Sequence, residues 1–129
     1  MIKFRCNKLG RDKGLKDFKA ENITPHYRIL EGKEWCQALK HKLIEEAEEV
    51  QNSLKVDEII TELADVLEVI EGLCKAYNID LNQLAQIKEK KYKERGGFEQ
   101  GFYLESVEME ENNPKIKHFR ASPDKYPQI

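Results

Sequence analysis

Cysteine is scarce in this 129-residue chain: Cys6, Cys36 and Cys74 are odd in number and far apart, and no C-x-x-C pair occurs. That pattern excludes a disulfide framework and a zinc site of paired cysteines, and reduced thiols are expected. No apolar run approaches the roughly 18 residues of a membrane span. Met1-Ile2-Lys3-Phe4-Arg5 lacks the apolar core of a signal peptide, so the expectation is a cytoplasmic protein with no membrane partner. An excess of one charge is missing too, since 22 Lys and Arg face 24 Asp and Glu for a net charge of −2. A binder of nucleic-acid polymers carries a clear basic excess, and no such partner is expected. Finally, no G-x-x-x-x-G-K-[ST] loop is present, which removes the P-loop route to phosphate.

What the chain does hold is charge, at 36% of residues against a usual share of about 25%. With only 40% hydrophobic residues, a single domain of this size has a thin core, which favours helices and association. The charge is unevenly placed: residues 41–71 are strongly acidic, whereas residues 88–95 hold five Lys and Arg against two Glu.

Hydrophobic periodicity sets the expected elements. Trp35, Leu39, Leu43, Ala47, Val50 and Leu54 recur every three or four positions, predicting an amphipathic helix over Lys33–Ser53. A second stripe through Ile59, Ile60, Leu63, Leu67, Ile70, Cys74 and Tyr77 predicts another, with Asp57 as N-cap and Asn78 at its C-terminal end. Asp80 with Gln83 three residues on reads as a capping box that opens a third helix, closed by Gly96-Gly97. Before these helices, Ile2–Cys6 and His26–Leu30 read as short extended pieces and Lys8–Asp17 as a basic, turn-rich stretch. After them, Phe98–Met109 alternates like a strand or hairpin arm. The expected organisation is one helical domain over 1–109 and a C-terminal arm of little order over 110–129, where Asn112-Asn113-Pro114, Pro123 and Pro127 fall.

The first two helices each carry an acid-x-x-acid pair, Glu46-x-x-Glu49 and Glu62-x-x-Asp65. Positions three apart share a helical face, and relative to the apolar stripes both pairs are expected to flank the buried seam on the same side. A Glu-rich helix is by default a solvated face, and Glu45 and Glu48 are assigned mainly to that. The joint occurrence on two helices joined by a short connection, hence antiparallel, points further. Four converging carboxylates repel one another unless a hard cation sits among them, and Mg²⁺, with Mn²⁺ as substitute, suits such an open oxygen site.

On the third helix, Lys88, Lys91 and Arg95 continue the line of Leu84 in steps of four, three and four. Their stems can pack while their heads reach a site, and Arg and Lys both hold phosphate. The competing reading is that these cations cover the core or pair with the acidic helices. A triphosphate would satisfy both halves of the polarity, with metal on the carboxylates and cations on the remaining phosphate oxygens. Trp35 reads as a core or interface anchor, and His26, His41 and His118 have no partner spacing that suggests a role.

Glu46-x-x-Glu49, twelve intervening residues and Glu62-x-x-Asp65 resemble, in order and spacing, the metal motif of the MazG-type all-α nucleoside triphosphate pyrophosphohydrolases. Arg11-Asp12-Lys13 and Arg95-Gly96-Gly97-Phe98 make the chain most similar to a small phosphoribosyl-ATP pyrophosphohydrolase-like group, over about residues 8–105. The resemblance implies an antiparallel helix bundle with short extended terminal segments. It also implies Mg²⁺ on Glu46, Glu49, Glu62 and Asp65, and cleavage of the α–β phosphate bond to a monophosphate and pyrophosphate. Relatives associate, so a homodimer or homotetramer is expected. Where the group has Val before Arg-Asp-Lys and Ile-Pro after it, this chain has Gly10 and Gly14-Leu15. The expectation is therefore a more mobile N-terminal segment in which Arg11 and Lys13 count for less than Lys91 and Arg95.

The sequence thus supports a Mg²⁺-dependent nucleoside triphosphate pyrophosphohydrolase, serving to clear unwanted nucleotides. Glu46, Glu49, Glu62 and Asp65 are its expected metal ligands, with Glu45 or Glu46 orienting water. Lys91, Arg95, Lys88 and Lys13 are expected on the phosphates. The alternatives are phosphoribosyl-ATP as substrate, and a non-catalytic helical interaction module.

Overall fold

The computed structural model describes residues 1–129 and contains five helices and no strand. The helices are α1 (Gly14–Ala20), α2 (Gly32–Asn52), α3 (Val56–Ala76), α4 (Leu81–Arg95) and α5 (Ile116–Arg120). The chain divides into two compact units, residues 1–93 and 94–129. None of the helices is long and apolar enough to cross a membrane.

In the first unit, α2 and α3 pack against each other as an antiparallel hairpin, and this is the principal helix–helix contact. The turn between them is three residues long and locally secured. Ser53 donates its backbone N–H to the Val50 carbonyl at 3.2 Å and its hydroxyl to the Glu49 carbonyl at 2.7 Å. At the start of α2, Arg28 grips Glu34 of the first turn through both guanidinium nitrogens, at 2.5 and 2.9 Å. The contact holds the Glu34 carboxyl below its ordinary range, chiefly through the hydrogen bond, and keeps an acid where the helix dipole favours one.

The ends of α3 show what local chemistry dictates and where it misleads. Its N-cap is Lys55, extended at φ −100° and ψ 146°, and Asp57 lies inside the first turn instead of capping it. No side-chain hydrogen bond caps that end; the carbonyl of Asp57 accepts the Thr61 hydroxyl at 3.1 Å. The C-terminal end follows the expected pattern. Asn78 is left-handed at φ 53°, Ile79 N–H reaches back to the Cys74 carbonyl at 2.8 Å, and Asn78 N–H to that of Lys75 at 3.3 Å. This paired closure satisfies carbonyls that a helix end leaves open. Two residues later Asp80 starts α4, its carboxylate accepting the Asn82 N–H at 2.8 Å.

Buried apolar side chains are few: Leu39, Val69 and Cys74. Leu39 packs so closely on α3 that a Cβ built on Gly72 would stand 3.1 Å from its Cδ2. A larger side chain there must push the helices apart, and overpacking of a tight core costs about 1–3 kcal/mol. Gly72→Leu is expected to lower the denaturant midpoint by that amount with little change in the slope; an unchanged midpoint would mean the hairpin is not held at this point.

The apolar stripe expected to form the intrachain seam splits between two faces. Ile59, Ile70 and Cys74 are wholly or partly buried, whereas Ile60, Leu63 and Leu67 are 60%, 47% and 62% exposed; Val66 and Val69, outside that stripe, turn inward instead. No residue of α4 is buried, its Leu84 and Ile87 included.

Outside the hairpin, the expected extended pieces at 2–6 and 26–30 form no strand, and neither does 98–109. A ladder needs a partner strand, and alternation alone does not supply one. The basic stretch before residue 17 instead turns into α1, where Gly14 N–H donates to the Arg11 carbonyl at 2.9 Å. In the second unit, α5 sits within the proline-bearing arm. An edge-on contact of Phe119 with Tyr126 at 5.0 Å and a third ring, His118, 5.2 Å from Phe119 give that arm a small aromatic cluster.

Candidate active site

Two turns toward the connection from Leu39 on α2 lies Glu46, and two turns toward it from Gly72 on α3 lies Asp65. An antiparallel hairpin brings residues at equal steps from its turn to the same level, so the acidic motifs must meet. They do: one oxygen from each of Glu46, Glu62 and Asp65 lies within 4.8 Å of the other two. Glu46 stands in the seam, while Glu62 and Asp65 stay partly exposed. Glu46, only 9% exposed, is the one buried charged residue of the protein.

A buried carboxylate is costly unless its charge is answered. Lys42, one turn earlier on α2 and itself largely buried, places Nζ 3.4 Å from Glu46 and 3.2 Å from Glu45. Lys8 also approaches Glu45, at 3.7 Å. Glu62 is treated differently. Burial first, then the charge of Asp65, a hydrogen bond to Glu46 and the charges of Glu46 and Glu49 all raise its pKa.

Three hard oxygen donors converging over 4.8 Å fit a divalent cation, since a Mg²⁺ octahedron spans about 4.2 Å between opposite oxygens. The crowding that raises the Glu62 pKa is the charge a divalent ion would neutralise. Glu49, one turn beyond Glu46, is exposed and outside the converging triad, although its charge reaches Glu62.

The basic candidates are distributed otherwise than expected. Lys88 and Lys91 are exposed on α4 and form no ion pair with the acidic residues; Arg95 ends α4 at the start of the second unit. Lys13 is the N-cap of α1 and exposed. Besides Lys42, the cation that reaches the triad is Arg11, whose Nη2 donates to Asp65 Oδ1 at 2.5 Å. The glycines beside it, Gly10 and Gly14, make Arg11 a weak candidate in the sequence. The signal available was the Arg-Asp-Lys motif itself, since nothing in helical periodicity links residues 11 and 65.

Residues 13–91 match the family model described as phosphoribosyl-ATP pyrophosphohydrolase. No curated protein and no solved structure matches the chain. The matched span holds both acid-x-x-acid pairs, the hairpin that joins them and most of α4. The chain belongs to the phosphoribosyl-ATP pyrophosphohydrolase family, within the MazG-like all-α superfamily, and is a hydrolase that splits a phosphoric anhydride bond of a nucleotide.

Proposed function

We propose that this protein is a divalent-metal-dependent pyrophosphohydrolase that cleaves the α–β bond of a 5′-triphosphate, releasing pyrophosphate and a nucleoside monophosphate. The observation that carries the reading is the convergence of Glu46, Glu62 and Asp65 in the hairpin seam. Mg²⁺ is the proposed ion, with Mn²⁺ as substitute, and Glu49 is the proposed fourth donor. When bound, such an ion supplies Lewis acidity to the phosphate oxygens and to water. Glu45 and Glu46 are the proposed groups that orient the attacking water, Glu45 being partly exposed beside Lys42. Lys88, Lys91, Arg95 and Lys13 are proposed to hold phosphate.

Self-association belongs to the same proposal. Ile60, Leu63 and Leu67 form an exposed stripe on α3, and Ile44 on α2 is 57% exposed. Apolar surface of this kind is covered in stable proteins. A homodimer or homotetramer would cover it. It would also bring Lys88 and Lys91 of one copy's α4 to another copy's carboxylates.

The family description makes phosphoribosyl-ATP the first substrate to test; a house-cleaning role requires ordinary, deoxy or damaged nucleoside triphosphates instead. Both classes present the same triphosphate to the same carboxylates. With Mg²⁺, pyrophosphate release is expected from at least one of them and inorganic phosphate from none. Release of phosphate alone would move the cleavage to the β–γ bond, and no turnover on any would favour a non-catalytic helical module.

A further inference from the structure

Three cations stand on the acidic seam, Lys42, Lys8 and Arg11, and they differ in how they are tethered. Lys42 rises from the same helix as Glu45 and Glu46, its side chain largely buried, so it cannot leave. Arg11 comes from the segment before α1 and remains well exposed while it holds Asp65. The one backbone hydrogen bond that fixes it locally is its own carbonyl accepting Gly14 N–H. Arg11 also lies outside the span that matches the family.

We propose that Arg11 stands in for the metal at Asp65 and is transferred to the substrate's phosphates when a divalent cation takes that carboxylate. This rests on the metal site proposed above. The argument is one of competition and charge. A guanidinium on Asp65 neutralises a carboxylate of the triad, so it competes in charge with an ion that takes the same group. Lys42 is held by its own helix and Lys8 sits on Glu45, outside the triad, so when two positive charges enter, Arg11 on Asp65 is the cation they displace. A guanidinium released at the rim of a metal site is suited to bidentate capture of phosphate. Metal loading thereby frees a substrate-binding group, which orders the two events.

The test is Mn²⁺ binding by wild type, Arg11→Ala, Arg11→Lys and Glu62→Gln, followed by calorimetry and by the paramagnetic spectrum of free Mn²⁺, without substrate. A partly exposed ion pair is worth up to about a factor of five in an equilibrium. Arg11→Ala is therefore expected to bind Mn²⁺ about fivefold more tightly than wild type, while its KM for the triphosphate rises about tenfold. Arg11→Lys, which keeps the charge but not the fork, is expected to keep wild-type Mn²⁺ affinity and recover part of the KM. A residue that merely supports the fold would not tighten metal binding when removed. Unchanged or weaker Mn²⁺ binding in Arg11→Ala, or an unchanged KM, overturns the transfer. If wild type binds Mn²⁺ no better than Glu62→Gln, the metal site itself falls and the transfer with it.

Discussion

Glu62→Gln is expected to abolish metal-dependent hydrolysis while making the metal-free protein more stable at neutral pH. Glu62 is crowded by Asp65, Glu46 and Glu49, and its pKa is raised by burial and by those charges. The carboxamide keeps the shape and can still donate a hydrogen bond to Glu46, but it carries no negative charge for an ion. Loss of a Lewis acid removes several kcal/mol of transition-state stabilisation, so kcat/KM should fall about a thousandfold, or about 4 kcal/mol.

The pH dependence follows from the same group. Its folded pKa lies above the unfolded value, so the stability it contributes is complete below the ordinary carboxylate range. That contribution is lost as pH rises through the raised value, when a further negative charge appears in the seam. Metal-free wild type should therefore lose melting temperature on going from below to above this window. Glu62→Gln should lose less, and Mg²⁺ should restore wild type only. Metal binding within the window must also displace the Glu62 proton, which calorimetry in two buffers of different ionisation enthalpy detects. Retained Mg²⁺-dependent turnover in Glu62→Gln would remove Glu62 from the metal site.

The sequence was most informative where chemistry is local. The α2 span, the left-handed Asn78 that closes α3 and the Asp80 cap of α4 all follow from residues within a turn or two of the feature they create. The acid-x-x-acid spacing placed the carboxylates at one level, because a short connection forces an antiparallel hairpin. Asp57 misled because capping preference is a statement about a residue type, and Lys55 reached the extended conformation first. The seam misled for another reason. The apolar positions of α3 cover more than one face, and periodicity establishes a helix without saying which face meets its own chain. Arg11 was undervalued because its contact with Asp65 spans 54 residues, a distance over which neither propensity nor pattern carries information.

That second apolar face carries the other large prediction. Leu67 is 62% exposed and continues the line of Ile60 and Leu63, so in the proposed assembly it is a seam residue between copies. Leu67→Glu places an unanswered carboxylate there. The cost of leaving such a charge buried is about 3–5 kcal/mol, which is a hundredfold or more in the dissociation constant. By sedimentation velocity the variant should run as a smaller species than wild type at equal concentration. Its helix content should be unchanged, because Leu67 is not part of the intrachain core. Leu67→Met, which keeps apolar volume, should sediment as wild type. Activity gives the independent reading. If one copy's α4 cations complete another copy's site, specific activity of Leu67→Glu should be low when dilute and climb with enzyme concentration. A variant that sediments and turns over like wild type would mean that Ile60, Leu63 and Leu67 are covered by something other than a second copy of this chain.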